Sequence, residues 1–133
     1  MNRIRIEDLS IGDLMQDILG NICIVRNIFC GDLVECYVVE KGDELGIMID
    51  RLRPIPITAE VLEKNGFKKN GVYNEWNFGE WNERPFIGVG LGRQSIRVKY
   101  FGTDIFIEGK VVYVHQLQHA VRLAGINKDI ELK

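Results

Sequence analysis

Val114-His115-Gln116-Leu117-Gln118-His119-Ala120-Val121-Arg122-Leu123-Ala124-Gly125 is the stretch on which the fold turns. Val114, Leu117, Val121 and Ala124 recur at helical spacing, which predicts a helix over 114–124 with one apolar stripe. Gly125 can take the left-handed conformation that closes a helix. A helix with one oily face needs a surface to cover, and Ser95-Ile96-Arg97-Val98-Lys99-Tyr100 offers one. There Ile96, Val98 and Tyr100 face one way and Arg97 and Lys99 the other, a strand with a buried and a wet side. Leu117 and Val121 are the contacts whose truncation should cost most.

Working outward, Phe86 to Leu91 and Ile105 to Glu108 extend the same antiparallel sheet, with Gly102-Thr103-Asp104 as a turn. Phe67–Lys69 and Val72–Phe78 flank Asn70-Gly71, a two-residue hairpin signal. Gly109-Lys110 turns the chain into Val111-Val112-Tyr113. Upstream, Thr58 is an expected N-cap and Ala59 to Asn65 a short helix stopped by Gly66. Arg53-Pro54-Ile55-Pro56-Ile57 reads as a stiff extended connector, because its prolines remove donors.

The first third is β-rich. Leu9 to Asp13 is a turn-like entry, Asn21 to Phe29 and Leu33 to Glu40 are strands around Gly31-Asp32, and Leu45 to Ile49 is a third. A two-residue turn at Gly31-Asp32 would set Cys30 opposite Leu33 and Cys36 opposite Asn27. The expected class is α+β: an N-terminal small SH3-like β-barrel or meander, then an antiparallel sheet with a short central helix and a C-terminal helix. The boundaries drawn are a β subdomain over 1–53 and an α+β subdomain over 54–133, together one compact unit. The 14 glycines against 3 prolines fit many tight turns between short strands.

A chain of 133 residues buries enough surface to fold without a metal or disulfide. Its net charge of −2 argues against general phosphate binding. Charge is uneven: 6 basic and 10 acidic residues over 1–57, then 11 and 9 over 58–133. Three cysteines, Cys23, Cys30 and Cys36, with no apolar leader at the N-terminus, read as reduced thiols in a cytoplasm. No apolar run approaches the ~20 residues of a membrane span.

Candidate chemistry is sparse. His115 and His119 stand one helical turn apart, the spacing that lets two imidazoles share a metal, but no third ligand lies nearby in sequence. They read as helix-surface histidines on the face opposite the stripe or at its border. Ser10 and Ser95 lack a nucleophile-elbow context, and a Cys–His pair has no local support. Cys23 reads as a small buried apolar residue. Gly88-Val89-Gly90-Leu91-Gly92-Arg93 resembles a phosphate loop, yet a strand follows where a helix N-terminus would be needed. Its glycines mark a bulge, a bend or a close approach instead. Trp81 is a candidate stacking platform beside an edge-packing alternative. Arg93, Arg97 and Lys99 form a basic stripe that could follow a phosphate backbone or simply be a solvated strand face.

Three stretches carry a resemblance. They are Leu9-Ser10-Ile11-Gly12-Asp13, Pro54-Ile55-Pro56-Ile57-Thr58 through Asn65-Gly66-Phe67, and Phe106-Ile107-Glu108-Gly109 leading into Tyr113-Val114-His115-Gln116-Leu117-Gln118. The chain resembles a family of short uncharacterised proteins from anaerobic gut bacteria, often carried on prophage-like or conjugative elements. It departs from that pattern at His119-Ala120-Val121-Arg122. The resemblance implies a shared fold and a mobile-element setting, and no catalytic or binding residues.

Three functional readings stand. The first is a non-enzymatic binding module engaging a protein or a second copy through a sheet face. The second is a nucleic-acid accessory protein using Arg93, Arg97, Lys99 and Trp81. The third is a metal-dependent enzyme at His115 and His119. No catalytic residue, cofactor or membrane partner is expected.

Overall fold

The computed structural model describes residues 4–29, 31–71, 75–80, 85–100 and 103–132. Cys30, Val72, Trp81 and Gly102 lie outside them. The chain divides into two compact units, Met1–Ile55 and Pro56–Lys133. The class is α+β, with two antiparallel sheets and two helices.

In the first unit, β1 (Leu14–Asp17), β2 (Ile22–Ile28), β3 (Leu33–Val38), β4 (Asp43–Met48) and β5 (Leu52–Pro54) form a curled half-barrel in the order β4-β3-β2-β1-β5. A 3-10 turn over Ile49–Arg51 redirects the chain into β5. That order, with a 3-10 turn before the last strand, is the layout of a small SH3-like barrel. Met15, Cys23, Val25, Val34, Cys36, Val38 and Leu52 are buried on its inner face. Alternation does this: positions 23 and 25 on β2 and 34, 36 and 38 on β3 point the same way.

Two elements here were not expected. β1 is short, and β5 ends on a proline that the sequence places in a connector. Pro54 lies opposite Met15 at the sheet edge, where a missing N–H costs no ladder bond. The register around Gly31 also differs from expectation. Phe29 N–H donates to the Leu33 carbonyl, Asn27 faces Glu35, and Cys36 faces Val25. Three residues, not two, separate the paired Phe29 and Leu33, and a bulge between Val25 and Asn27 shifts the ladder by one residue more.

The second unit holds α1 (Ala59–Lys64), β6 (Lys68–Asn70), β7 (Glu75–Phe78), β8 (Phe86–Gly90), β9 (Ser95–Tyr100), β10 (Thr103–Glu108) and α2 (Val114–Leu123). Its sheet runs β10-β9-β8-β7-β6. Val61 N–H donates to Thr58 Oγ1 at 3.3 Å, so Thr58 caps α1 as expected. Both helices end in the same way: Phe67 N–H reaches Leu62 O and Ile126 N–H reaches Val121 O, across Gly66 and Gly125 at φ 85° and 75°. Val114, Leu117, Val121 and Ala124 are all buried, together with Ile87, Val89, Ile96 and Val98 from the inner sheet face.

Two turns and one strand depart from the sequence reading. Asn70 faces Glu75 and Lys68 faces Asn77, so the β6–β7 loop takes four residues instead of Asn70-Gly71 alone. This register brings the Phe67 and Phe78 rings to 5.4 Å, and aromatic packing outweighs the local turn preference. Thr103 and Asp104 already belong to β10, opposite Tyr100 and Lys99. Of the expected strand over Val111–Tyr113, a single bridge from Tyr113 to Pro56 is present. The tail over 126–132 adds no strand. Asn65 holds it instead, accepting from Glu131 N–H at 2.8 Å and donating to Glu131 O at 2.7 Å.

Candidate binding groove

Trp81 lies outside the described residues, and the basic candidates stand among partners of their own. Arg97 donates to Glu75 Oε1 at 2.8 Å, and Asn77 donates to the same oxygen at 2.8 Å. The Arg97 guanidinium also lies over the buried Phe86 ring. Arg93, in the β8–β9 turn, sits 3.9 Å from Glu108 and over the exposed Phe106 ring. Lys99 is half-buried on the same strand face as Arg97. The basic stripe is therefore interleaved with carboxylates, which weakens its field at a phosphate.

His115 lies at the border of the stripe, one of its two expected places, but beneath the surface. It is buried, stacked on Tyr113 with ring centroids 5.9 Å apart, while His119 meets it edge-on at 5.7 Å. The buried arc of α2 covers Val114, His115, Leu117, Ala120 and Val121, wider than the apolar stripe alone. Among the described residues no group of three or more His, Cys, Asp or Glu could hold a metal ion. Cys23 and Cys36 are buried free thiols on the half-barrel's inner face. Their mutual hydrogen bond, and then burial, push the Cys23 thiol up from its ordinary value. The glycines of the apparent phosphate loop answer to close approach: a Cβ at Gly88 would stand 2.6 Å from the Glu75 carboxylate.

Among the described residues, each unit carries a surface groove. One, about 410 Å³, belongs to the second unit and is lined by polar side chains such as Lys68, Lys69, Asn70, Asn77 and Glu80. The other, about 300 Å³, belongs to the half-barrel and is aliphatic: Ile18, Leu19, Val38, Leu45, Ile47 and Met48, with Asp17 and Arg51 at its margin. Ile18 is 62% and Leu19 79% exposed, while Leu45 and Met48 are 39% and 45% exposed. Side chains of this size are seldom held so openly side by side on a surface without a use.

Asp17 builds the turn that presents Ile18 and Leu19. Its carboxylate accepts from Leu19 N–H at 2.9 Å, Asn21 N–H at 2.8 Å and Asn21 Nδ2 at 2.9 Å. Burial pushes the Asp17 carboxyl up, but these hydrogen bonds outweigh it and hold it below its ordinary value. The opposite wall is β4, an edge strand whose six residues are exposed or half-exposed throughout. Sequence reasoning passed over this groove. Its signal was an apolar pair, Ile18-Leu19, between the turn formers Asp17 and Gly20-Asn21, where polar residues would be usual.

No family model matches the chain, and neither a curated protein nor a solved structure matches it. No helix among the described residues is long and apolar enough to cross a membrane.

Proposed function

We propose that the chain is a protein-interaction module whose half-barrel takes apolar side chains of a partner protein into the groove between the Ile18-Leu19 turn and β4. The observation that carries this reading is the exposure of Leu19 beside Leu45 and Met48 on a braced turn. Pro-rich ligands dock on aromatic-lined grooves, whereas this one is aliphatic, so Leu-, Ile- or Val-bearing segments are the better fit. Phosphate-backbone binding through Arg93, Arg97 and Lys99 is the lesser reading, because Glu75 and Glu108 stand beside two of those cations.

Methyl-resolved NMR tests the proposal. Titration with N-acetyl-leucine amide is expected to shift the methyl signals of Ile18, Leu19, Leu45 and Met48 in a saturable way. Leu19→Asp should abolish the response. Shifts scattered over the molecule, or the same response in Leu19→Asp, would remove the groove from consideration.

A further inference from the structure

Taking the groove as the binding surface proposed above, we infer that its occupant is an extended segment that adds to β4 as a sixth strand, apolar on the groove side and basic on the outer side.

Hydrogen-bond parity gives the first part. Ile49 N–H donates to Asp32 O at 2.7 Å, which makes 32 and 49 a bonded pair in the β3–β4 ladder. Antiparallel ladders alternate, so Val34 with Ile47 and Cys36 with Leu45 also exchange bonds. Glu44, Gly46 and Met48 then turn their N–H and C=O groups outward, away from β3. β4 stands at the end of the sheet order, so these groups form an open template for another strand. Leu45 and Ile47 project to the groove side of the same strand. An added strand would therefore place alternate side chains against Leu45, Ile47, Ile18 and Leu19.

Charge gives the second part. The outer face beside the open edge carries Glu44, with Glu35 opposite Gly46 one strand further in. Asp43 and Asp50 mark the two ends. Arg26, 3.9 Å from Glu44, offsets one of these carboxylates, whereas Asn27 donates to Glu35 at 2.7 Å without adding charge, so the face keeps one net negative charge. Residues of the added strand that face outward would lie next to Glu44, so Lys or Arg is favoured there.

The test uses the full chain and a short alternating Leu/Lys peptide, with an alternating Leu/Glu peptide as its counterpart. Amide exchange at Glu44, Gly46 and Met48 should slow when the Leu/Lys peptide binds, and the Leu/Glu peptide should bind at least about tenfold more weakly. Met48 sits at φ −68°, already suited to proline, and its N–H points out of the ladder. Met48→Pro should therefore keep its melting temperature yet bind the Leu/Lys peptide about tenfold more weakly than Met48→Ala, which lacks the same side chain but keeps the N–H. If that variant does not fold, a Leu/Lys peptide with N-methylated alternate amides makes the same test on the unaltered protein, with the same loss expected. Equal binding by the Leu/Glu peptide, or no loss with either backbone block, would overturn the strand-addition mode. Dimerisation through β4 without peptide would overturn it too. If the Leu/Lys peptide fails while N-acetyl-leucine amide still shifts the groove methyls, strand addition falls and the groove stands; loss of both responses removes the groove itself.

Discussion

Glu75 and Arg97 meet across an intervening strand, on the outer face of the second sheet, with Gly88 leaving the space between them. The contact is 2.8 Å, and the two side chains retain 13% and 26% exposure. Breaking a largely buried pair leaves one charge without its partner. Glu75→Ala is expected to cost about 2–3 kcal/mol, nearly independent of salt, by urea titration. Gly88→Ala should reproduce much of that loss with both charges still present, because its methyl would occupy the carboxylate's position. A Gly88→Ala variant as stable as the parent would show that Glu75 can relax at no cost.

Leu117 is fully buried and Val121 nearly so. Leu117→Ala is expected to lose about 2–5 kcal/mol, with a smaller loss at Val121→Ala. Denaturant midpoints followed by circular dichroism measure both.

These two residues also show how far the sequence carried. The C-terminal helix, its stripe and its glycine stop were legible because periodicity and capping are local signals. The class, and the barrel-like first sheet, followed from short apolar strands between turns. Registers were not legible. The bulge after Val25 and the four-residue β6–β7 loop answer to packing between distant residues, Phe67 with Phe78 for one. The burial of His115 was not legible for a similar reason, since it depends on what covers α2 and not on the helix's own spacing. The groove escaped notice because Ile18 and Leu19 matter through their nearness to β4, a strand more than twenty residues away in sequence.

Asn65 imitates a strand partner for the tail. It is buried and makes two bonds with the Glu131 backbone, plus one of 2.7 Å to Val61 O. Asn65→Asp keeps the acceptor but loses the amide donor, leaving the Val61 and Glu131 carbonyls facing a carboxylate. A loss of about 2–3 kcal/mol is expected, with faster amide exchange at Glu131.

Cys23 gives the molecule an alkaline limb. Its thiol is raised in the folded state, so the stability it contributes is complete below the unfolded value, about 8.5. Above that value the unfolded chain loses a proton that the folded chain keeps. Stability should fall by up to about 1.4 kcal/mol for each further pH unit. Urea midpoints at rising alkaline pH should show this slope in the parent, and the double variant Cys23→Ala/Cys36→Ala should lose it. Iodoacetamide should leave Cys23 and Cys36 unmodified until the chain unfolds.

Asp17 links the local turn to the groove. Three donors converge on its carboxylate, and Ile18 and Leu19 follow it directly. Its folded value is depressed, so the stability it adds is present above the unfolded value of about 3.9 and is lost as pH falls through the folded one. Asp17→Ala removes the brace at any pH and should cost about 1–2 kcal/mol. The same variant should also weaken the saturable shift of the Leu19 methyls with N-acetyl-leucine amide, although Asp17 need not touch the ligand. A turn that kept its methyl response after losing all three hydrogen bonds would mean that Leu19 is positioned by packing on β4 and not by Asp17.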